Sequence, residues 1–135
     1  KMQGYNVIVV FNMQMNRMLM CKRVKDPYKD LSNFVGGKIE KGEDGYTAAY
    51  RELKEETSVS LKITNKNLVK ITSTKNRDPR GWVISIAYKV VVNENDVKPI
   101  ANSDALYANW VDVNSIKEDN MAFDHFEILN YSLNN

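Results

Sequence analysis

The sequence predicts an α/β domain in which a mixed β-sheet lies between helices on its two faces. Three observations predict it. The run Tyr5 to Phe11 is almost continuously apolar and β-branched, the pattern of a central strand buried on both sides. A second long apolar run, Trp82 to Val92, is rich in valine, isoleucine and tyrosine. Between them, and again at the end of the chain, apolar residues recur at helical spacing, so strands before and after one helix must share a sheet.

Taken in order, the opening strand gives way to a polar turn at Asn12 to Asn16, and Arg17 to Arg23 returns as a second strand. Met18 and Met20 alternate there with Leu19 and Cys21, so both faces are apolar and the lone cysteine reads as a buried thiol. A loop at Asp26 to Asp30 precedes Leu31 to Val35, which leads into Gly36-Gly37. From about Glu43 to Glu56 no proline interrupts a set of good helix formers, with Gly42 or Glu43 at the N-terminal cap. Leu61 to Ile63 and Leu68 to Ser73 read as strands about a turn at Asn65 to Asn67. The polar loop Thr74 to Gly81 follows, then the long strand, an exposed connection at Asn93 to Asn102, a short strand at Tyr107 to Val113, and a terminal helix within Phe123 to Leu133.

Composition bounds the function. With 135 residues and no second boundary, the chain is expected to form one domain over residues 1–135. A net charge of +2 is too small to argue for a nucleic-acid or membrane partner, so neither a polymeric nucleic acid nor a membrane is expected. No apolar run approaches a membrane span, the opening lacks a signal-peptide pattern, and a single cysteine suits a reducing compartment, so a cytoplasmic location is expected.

The chemistry concentrates in the helix after the glycines. Glu52, Glu55 and Glu56 stand at i, i+3 and i+4, beside the apolar face carrying Tyr46, Ala49 and Leu53. Like-charge pairs at this spacing cost on the order of 0.2–0.5 kcal/mol each, so the cluster gains stability only with something positive among it. Oxygen ligands on a rigid helix suit a hard divalent cation, Mg²⁺ first and Mn²⁺ second, whose open positions substrate phosphates fill. Gly36 and Gly37 let backbone approach such a ligand. The plain alternative is a solvated acidic face balanced by Lys41, Arg51 and Lys54.

From Gly37 the chain reads G-x5-E-x7-R-E-L-x-E-E-x-S-V, which resembles the Nudix box, G-x5-E-x7-R-E-U-x-E-E-x-G-U with U aliphatic. Gly37, Glu43, Arg51, Glu52, Leu53, Glu55, Glu56 and Val59 match; Ser58 stands where the family has glycine, and Val35 where it often has proline. The resemblance implies an α/β/α sandwich and Mg²⁺-dependent hydrolysis of a phosphoanhydride bond in a nucleoside diphosphate linked to a further group. It implies that Glu52, Glu55 and Glu56 hold the metal with the carbonyl of Gly37, and that Arg51 orients Glu55. One of the glutamates is open as general base, but the family uses various residues for that step. Glu43 is expected to give outer support.

Outside the box, RDPRGW (Arg77 to Trp82) and AFDHFEIL (Ala122 to Leu129) resemble the group that includes ADP-ribose pyrophosphatases, which tilts the substrate toward ADP-ribose or a similar nucleotide sugar. The stretch from Cys21 to Glu40 looks equally like relatives that hydrolyse oxidised nucleoside triphosphates such as 8-oxo-dGTP. Arg23, Arg77 and Arg80 are candidates to hold phosphate, against the alternative of solvated arginines. Phe34, Tyr28 and Trp82 are candidates to stack on a base, although Trp82 at the head of an apolar strand reads more readily as core. His125, the single histidine, is expected to be structural or solvated. Many family members dimerise, which leaves a homodimer open. Two other classes stand beside the enzyme: a module that binds nucleotide without turnover, and an interaction protein with an acidic face whose melting temperature Mg²⁺ would leave unchanged.

Overall fold

The computed structural model describes residues 1–97 and 108–135. β1 (Gln3–Asn12) is the organising strand. It pairs in parallel with β6 (Val83–Val92) along its whole length and antiparallel with β4 (Val35–Lys38), so the sheet is mixed, as expected. β2 (Arg17–Lys22) carries β3 (Ser32–Asn33) on one side and β7 (Ala108–Asp112) on the other, and β5 (Leu68–Thr72) pairs with β6. β1 and β2 meet only near their turn, at Phe11 and Met18. Farther along, the two parts of the sheet diverge, and the cleft described below opens there.

Strand alternation divides the core. Ile8 and Val10 join Leu19, Cys21, Tyr88 and Val90 against Ala49 and Leu53 of α1 (Gly45–Thr57). Val7, Val9 and Phe11 face the other way, with Met18, Met20 and Ala87, against Ile128 and Leu129 of α2 (His125–Asn134). At about 25 cal/mol per Å², each fully buried Val, Leu, Ile or Phe contributes roughly 1.5–3 kcal/mol. Cys21 is buried as expected, and burial pushes its thiol pKa well up.

Several boundaries differ from the sequence reading. α1 starts at Gly45 with Asp44 as its cap, because Glu43 turns back to accept the Glu40 N–H at 2.9 Å and closes a turn outside the helix. At the other end Ser58 takes the left-handed conformation (φ 64°) that favours glycine, and its N–H reaches the Lys54 carbonyl at 2.8 Å. Leu61 to Ile63 finds no ladder partner; Ile63 is drawn instead into the α1 core cluster. The expected turn at residues 65–67 is a 3₁₀ turn capped by Thr64. Trp82 is 63% exposed, so the core reading of this residue is corrected: β6 begins at Val83, one residue past it. The expected exposed connection at Asn93 to Asn102 begins with a 3₁₀ turn at Glu94–Asp96 and continues to Val97, which is buried; residues 98–102, with Pro99, lie outside the described residues, as does Tyr107.

Candidate active site

α1 runs behind β4, and the two glycines of β4 decide how close its glutamates come. Gly37 faces the Glu52 carboxyl directly: a Cβ there would lie 2.5 Å from the Glu52 carboxyl carbon. Gly36 donates its N–H to Glu56 at 2.9 Å. Glu56 is almost wholly buried, and burial, with Glu52 and Glu55 nearby, pushes its pKa up to about 8 despite that hydrogen bond. Burial also raises Glu52, against the pull of Arg51.

Arg51 spans the outer side of this group. Its Nε and one terminal nitrogen donate to Glu43 at 2.7 and 2.9 Å, another donates to Glu52 at 2.8 Å, and Glu55 lies at the weak limit of 3.4 Å. The Lys38 carbonyl accepts a further bond at 3.1 Å. Arg51 therefore orients Glu52 and ties the helix to the Glu43 turn, rather than mainly orienting Glu55. The same contact holds Glu43 down to about 2.

Helical spacing puts the three glutamates on one arc, but their carboxylates go to different partners: Glu52 to Arg51, Glu56 to the Gly36 amide, and Glu55 outward with its side chain 56% exposed. Among the described residues no three Asp, Glu, His or Cys side chains close around one point. The donor set nonetheless fits a hard divalent cation. It offers oxygens only, Glu56 is buried and Glu52 half-buried, burial raises the pKa of both, and Gly37 leaves backbone access beside Glu52.

Gly36, Gly37 and Glu56, without Glu52 or Glu55, line a cleft of about 320 Å³ whose other walls come from β1, the segment just after β2, the 73–82 loop and the start of α2. Arg23, Arg77 and Arg80 all reach this cleft, but in different states. Arg77 is committed: its side chain is only 5% exposed, it makes a two-pronged pair with Asp124 at 2.6 and 2.8 Å, and it donates to the Val83 carbonyl. Arg80 pairs with the buried Asp78 at 2.7 Å, and its guanidinium lies over the rings of Tyr5 and Phe123, 4.3 and 4.5 Å from their centroids. Arg23 spends only its Nε, on the Pro27 carbonyl at 2.6 Å, and its terminal nitrogens have no partner among the described residues. Burial, and then the neighbouring Arg80, lower its pKa, with Asp78 pulling the other way.

Phe34 borders the cleft, as its candidacy to stack on a base requires, but it is 1% exposed and one face of its ring is stacked on His125, with centroids 5.1 Å apart. The aromatic ring that shapes the cleft is Phe123, which the sequence reading passed over. Its φ of 51° is unusual for a bulky residue and would have been visible only in the fold. Tyr28 meets Phe123 edge-on at 4.8 Å, and Trp82 does not reach the cleft.

His125 is structural, as expected. It is buried and its Nδ1 accepts the Phe34 N–H at 3.3 Å, so the neutral ring carries its proton on Nε2. Burial depresses its pKa from 6.5 to about 3. Between those values the unfolded chain binds more protons than the folded one, so this residue's contribution to stability is complete above pH 6.5 and is lost as pH falls toward 3. Melting temperature should therefore fall on acidification from pH 7 to 4, and less steeply for His125→Asn. Parallel curves for the two proteins would refute this assignment.

The NUDIX domain model matches residues 2–131. An ADP-ribose pyrophosphatase of Methanocaldococcus jannaschii is 39% identical over 114 residues, 84% of this chain and 64% of that protein; this chain thus spans less than two-thirds of the relative's length. A bifunctional NMN adenylyltransferase/ADP ribose pyrophosphatase from Francisella tularensis, in complex with AMP and a manganese ion, superposes with a TM-score of 0.83 at 26% identity, over 99% of this chain and 42% of that one. The NUDIX domain of Shewanella oneidensis NrtR, complexed with ADP ribose, shares the fold at a TM-score of 0.85 and 18% identity, over 99% of this chain and 88% of that one. A family match over nearly the whole chain, on a sheet and glutamate helix arranged in this way, makes the protein a member of the NUDIX family.

Proposed function

We propose that this chain hydrolyses a phosphoanhydride bond in a nucleoside diphosphate linked to a sugar, ADP-ribose or a close analogue, with a divalent cation as cofactor. The observation that carries the reading is the polarity of the cleft. One buried carboxyl, Glu56, lines the cleft beside Gly36 and Gly37, and Arg23, an arginine with unspent donors, lines it too. A diphosphate with its cation matches a cleft that carries both kinds of group. The ADP-ribose pyrophosphatase relative supports the choice of substrate, and the manganese in the Francisella structure supports the choice of ion class.

Glu52, Glu56 and the Gly37 carbonyl would hold the ion, with Glu55 within reach from its exposed position. Bound there, the ion would screen the diphosphate charge and lower the pKa of a water toward neutrality. Arg51 keeps Glu52 aimed at the glycines, so the carboxyl needs little reorganisation. Arg23 offers its terminal N–H groups to the phosphate farther from the glutamates, and Arg80 adds charge held in place by Asp78 and two rings. Arg77 supports that wall through Asp124.

The test is product analysis by mass after incubation with ADP-ribose, NADH, UDP-glucose, 8-oxo-dGTP and dGTP, each with Mg²⁺ or Mn²⁺. AMP plus ribose 5-phosphate from ADP-ribose is expected. Preferred conversion of 8-oxo-dGTP to its monophosphate and pyrophosphate would replace the substrate assignment, and tight binding without turnover would make the domain a nucleotide sensor. Arg23→Ala should raise KM for ADP-ribose by roughly tenfold or more, the loss of one charge-assisted bond pair, with a smaller change in kcat. An unchanged KM would remove Arg23 from the binding site.

A further inference from the structure

Asn6 is the one polar residue between Tyr5 and Phe11, in the most buried strand of the protein. It is 1% exposed, and both its amide nitrogen and its amide oxygen are buried without a hydrogen-bond partner. Among the described residues no other side chain leaves two polar atoms in that state. Buried amides are ordinarily satisfied, and one left bare is a cost the fold would shed by placing valine or leucine there.

Its position gives the amide a use. β1 runs in unbroken register with β6 from Gln3 to Asn12, so its side chains alternate strictly, and Asn6 shares the face of Ile8 and Val10, which pack on α1. Across the β1–β4 ladder Asn6 stands opposite Gly37, the glycine against the Glu52 carboxyl. The next pair is Val7 with Gly36, whose N–H holds Glu56. Asn6 also borders the same cleft as Gly36, Gly37 and Glu56. A donor and an acceptor therefore stand on the strand position paired with Gly37, the glycine against Glu52, and on the wall of the cleft that Glu56 lines.

We propose that Asn6 is a positioning residue for the divalent cation, its amide serving as hydrogen-bond partner to a water of the ion's hydration shell or to the glutamates once they turn to the ion. This rests on the metal-dependent reading of the cleft. The amide suits the role because a divalent ion of this kind keeps several waters, and each needs an acceptor or donor beyond the ion.

The test compares wild type with Asn6→Leu, which keeps the volume roughly but removes both polar atoms, and with Asn6→Ala, which only deletes atoms should leucine prove too large. Free Mn²⁺ is followed by electron paramagnetic resonance, without nucleotide, and melting is followed in EDTA. The expected result is Mn²⁺ binding roughly tenfold or more weaker, with the variants folded and Asn6→Leu melting in EDTA at or above the wild-type temperature. Mn²⁺ affinity within twofold of wild type in a folded variant would overturn the role of Asn6 while leaving the metal site standing. No Mn²⁺ binding by wild type would overturn the metal-dependent reading, and the role of Asn6 with it.

Discussion

Glu56→Gln should lower kcat on ADP-ribose by about a hundredfold or more while leaving the protein folded and no less stable at neutral pH. Glutamine conserves the shape and still accepts the Gly36 N–H, but the carboxylate charge that a cation needs is gone. The stability half of the expectation comes from burial. This carboxyl sits where ionisation is costly, with its pKa pushed up to about 8, so a neutral amide loses nothing by replacing it. Glu52→Gln should likewise cost activity, although there Arg51 also loses a charged partner and some stability goes with it. Near-wild-type turnover by both variants would dismiss the glutamates as metal ligands.

The second large effect separates the two glycines. Gly36→Ala should disrupt the fold, because its Cβ would fall inside the Asn6 backbone carbonyl and against Val7, in the ladder that joins β4 to the central strand. Neither backbone can move without breaking that ladder, so a loss of about 3 kcal/mol, or roughly 10 °C in melting temperature, is expected. Gly37→Ala meets only the end of the Glu52 side chain, which can swing away. That variant should stay folded and lose activity instead, by about tenfold or more, since Glu52 would leave the position Arg51 gives it. Equal stability losses from both would mean that Gly37 serves the sheet and not the site.

The contrast between these glycines shows what the sequence made legible. Spacing placed Gly37, Arg51 and the three glutamates on consecutive elements, and strand alternation in β1 gave the two-faced core before any coordinates. Both are local patterns, readable within about twenty residues. What escaped depended on long-range packing. Arg77 reads as a free cation in RDPRGW, but Asp124, 47 residues later, claims it. Phe34 reads as an aromatic near the glycines, yet His125 covers it from α2. Phe123 shapes the cleft through a backbone conformation that no propensity assigns to phenylalanine. Asn6 was hidden by its neighbours, since one polar residue barely disturbs an apolar strand pattern.

The most direct test of the central claim is hydrolysis of ADP-ribose in ¹⁸O-labelled water with Mg²⁺, repeated with excess EDTA. The expected products are AMP and ribose 5-phosphate, with a single ¹⁸O in the phosphate of one of them, and EDTA should abolish both. Label-free products, or turnover indifferent to EDTA, would contradict cation-dependent attack of water on the anhydride.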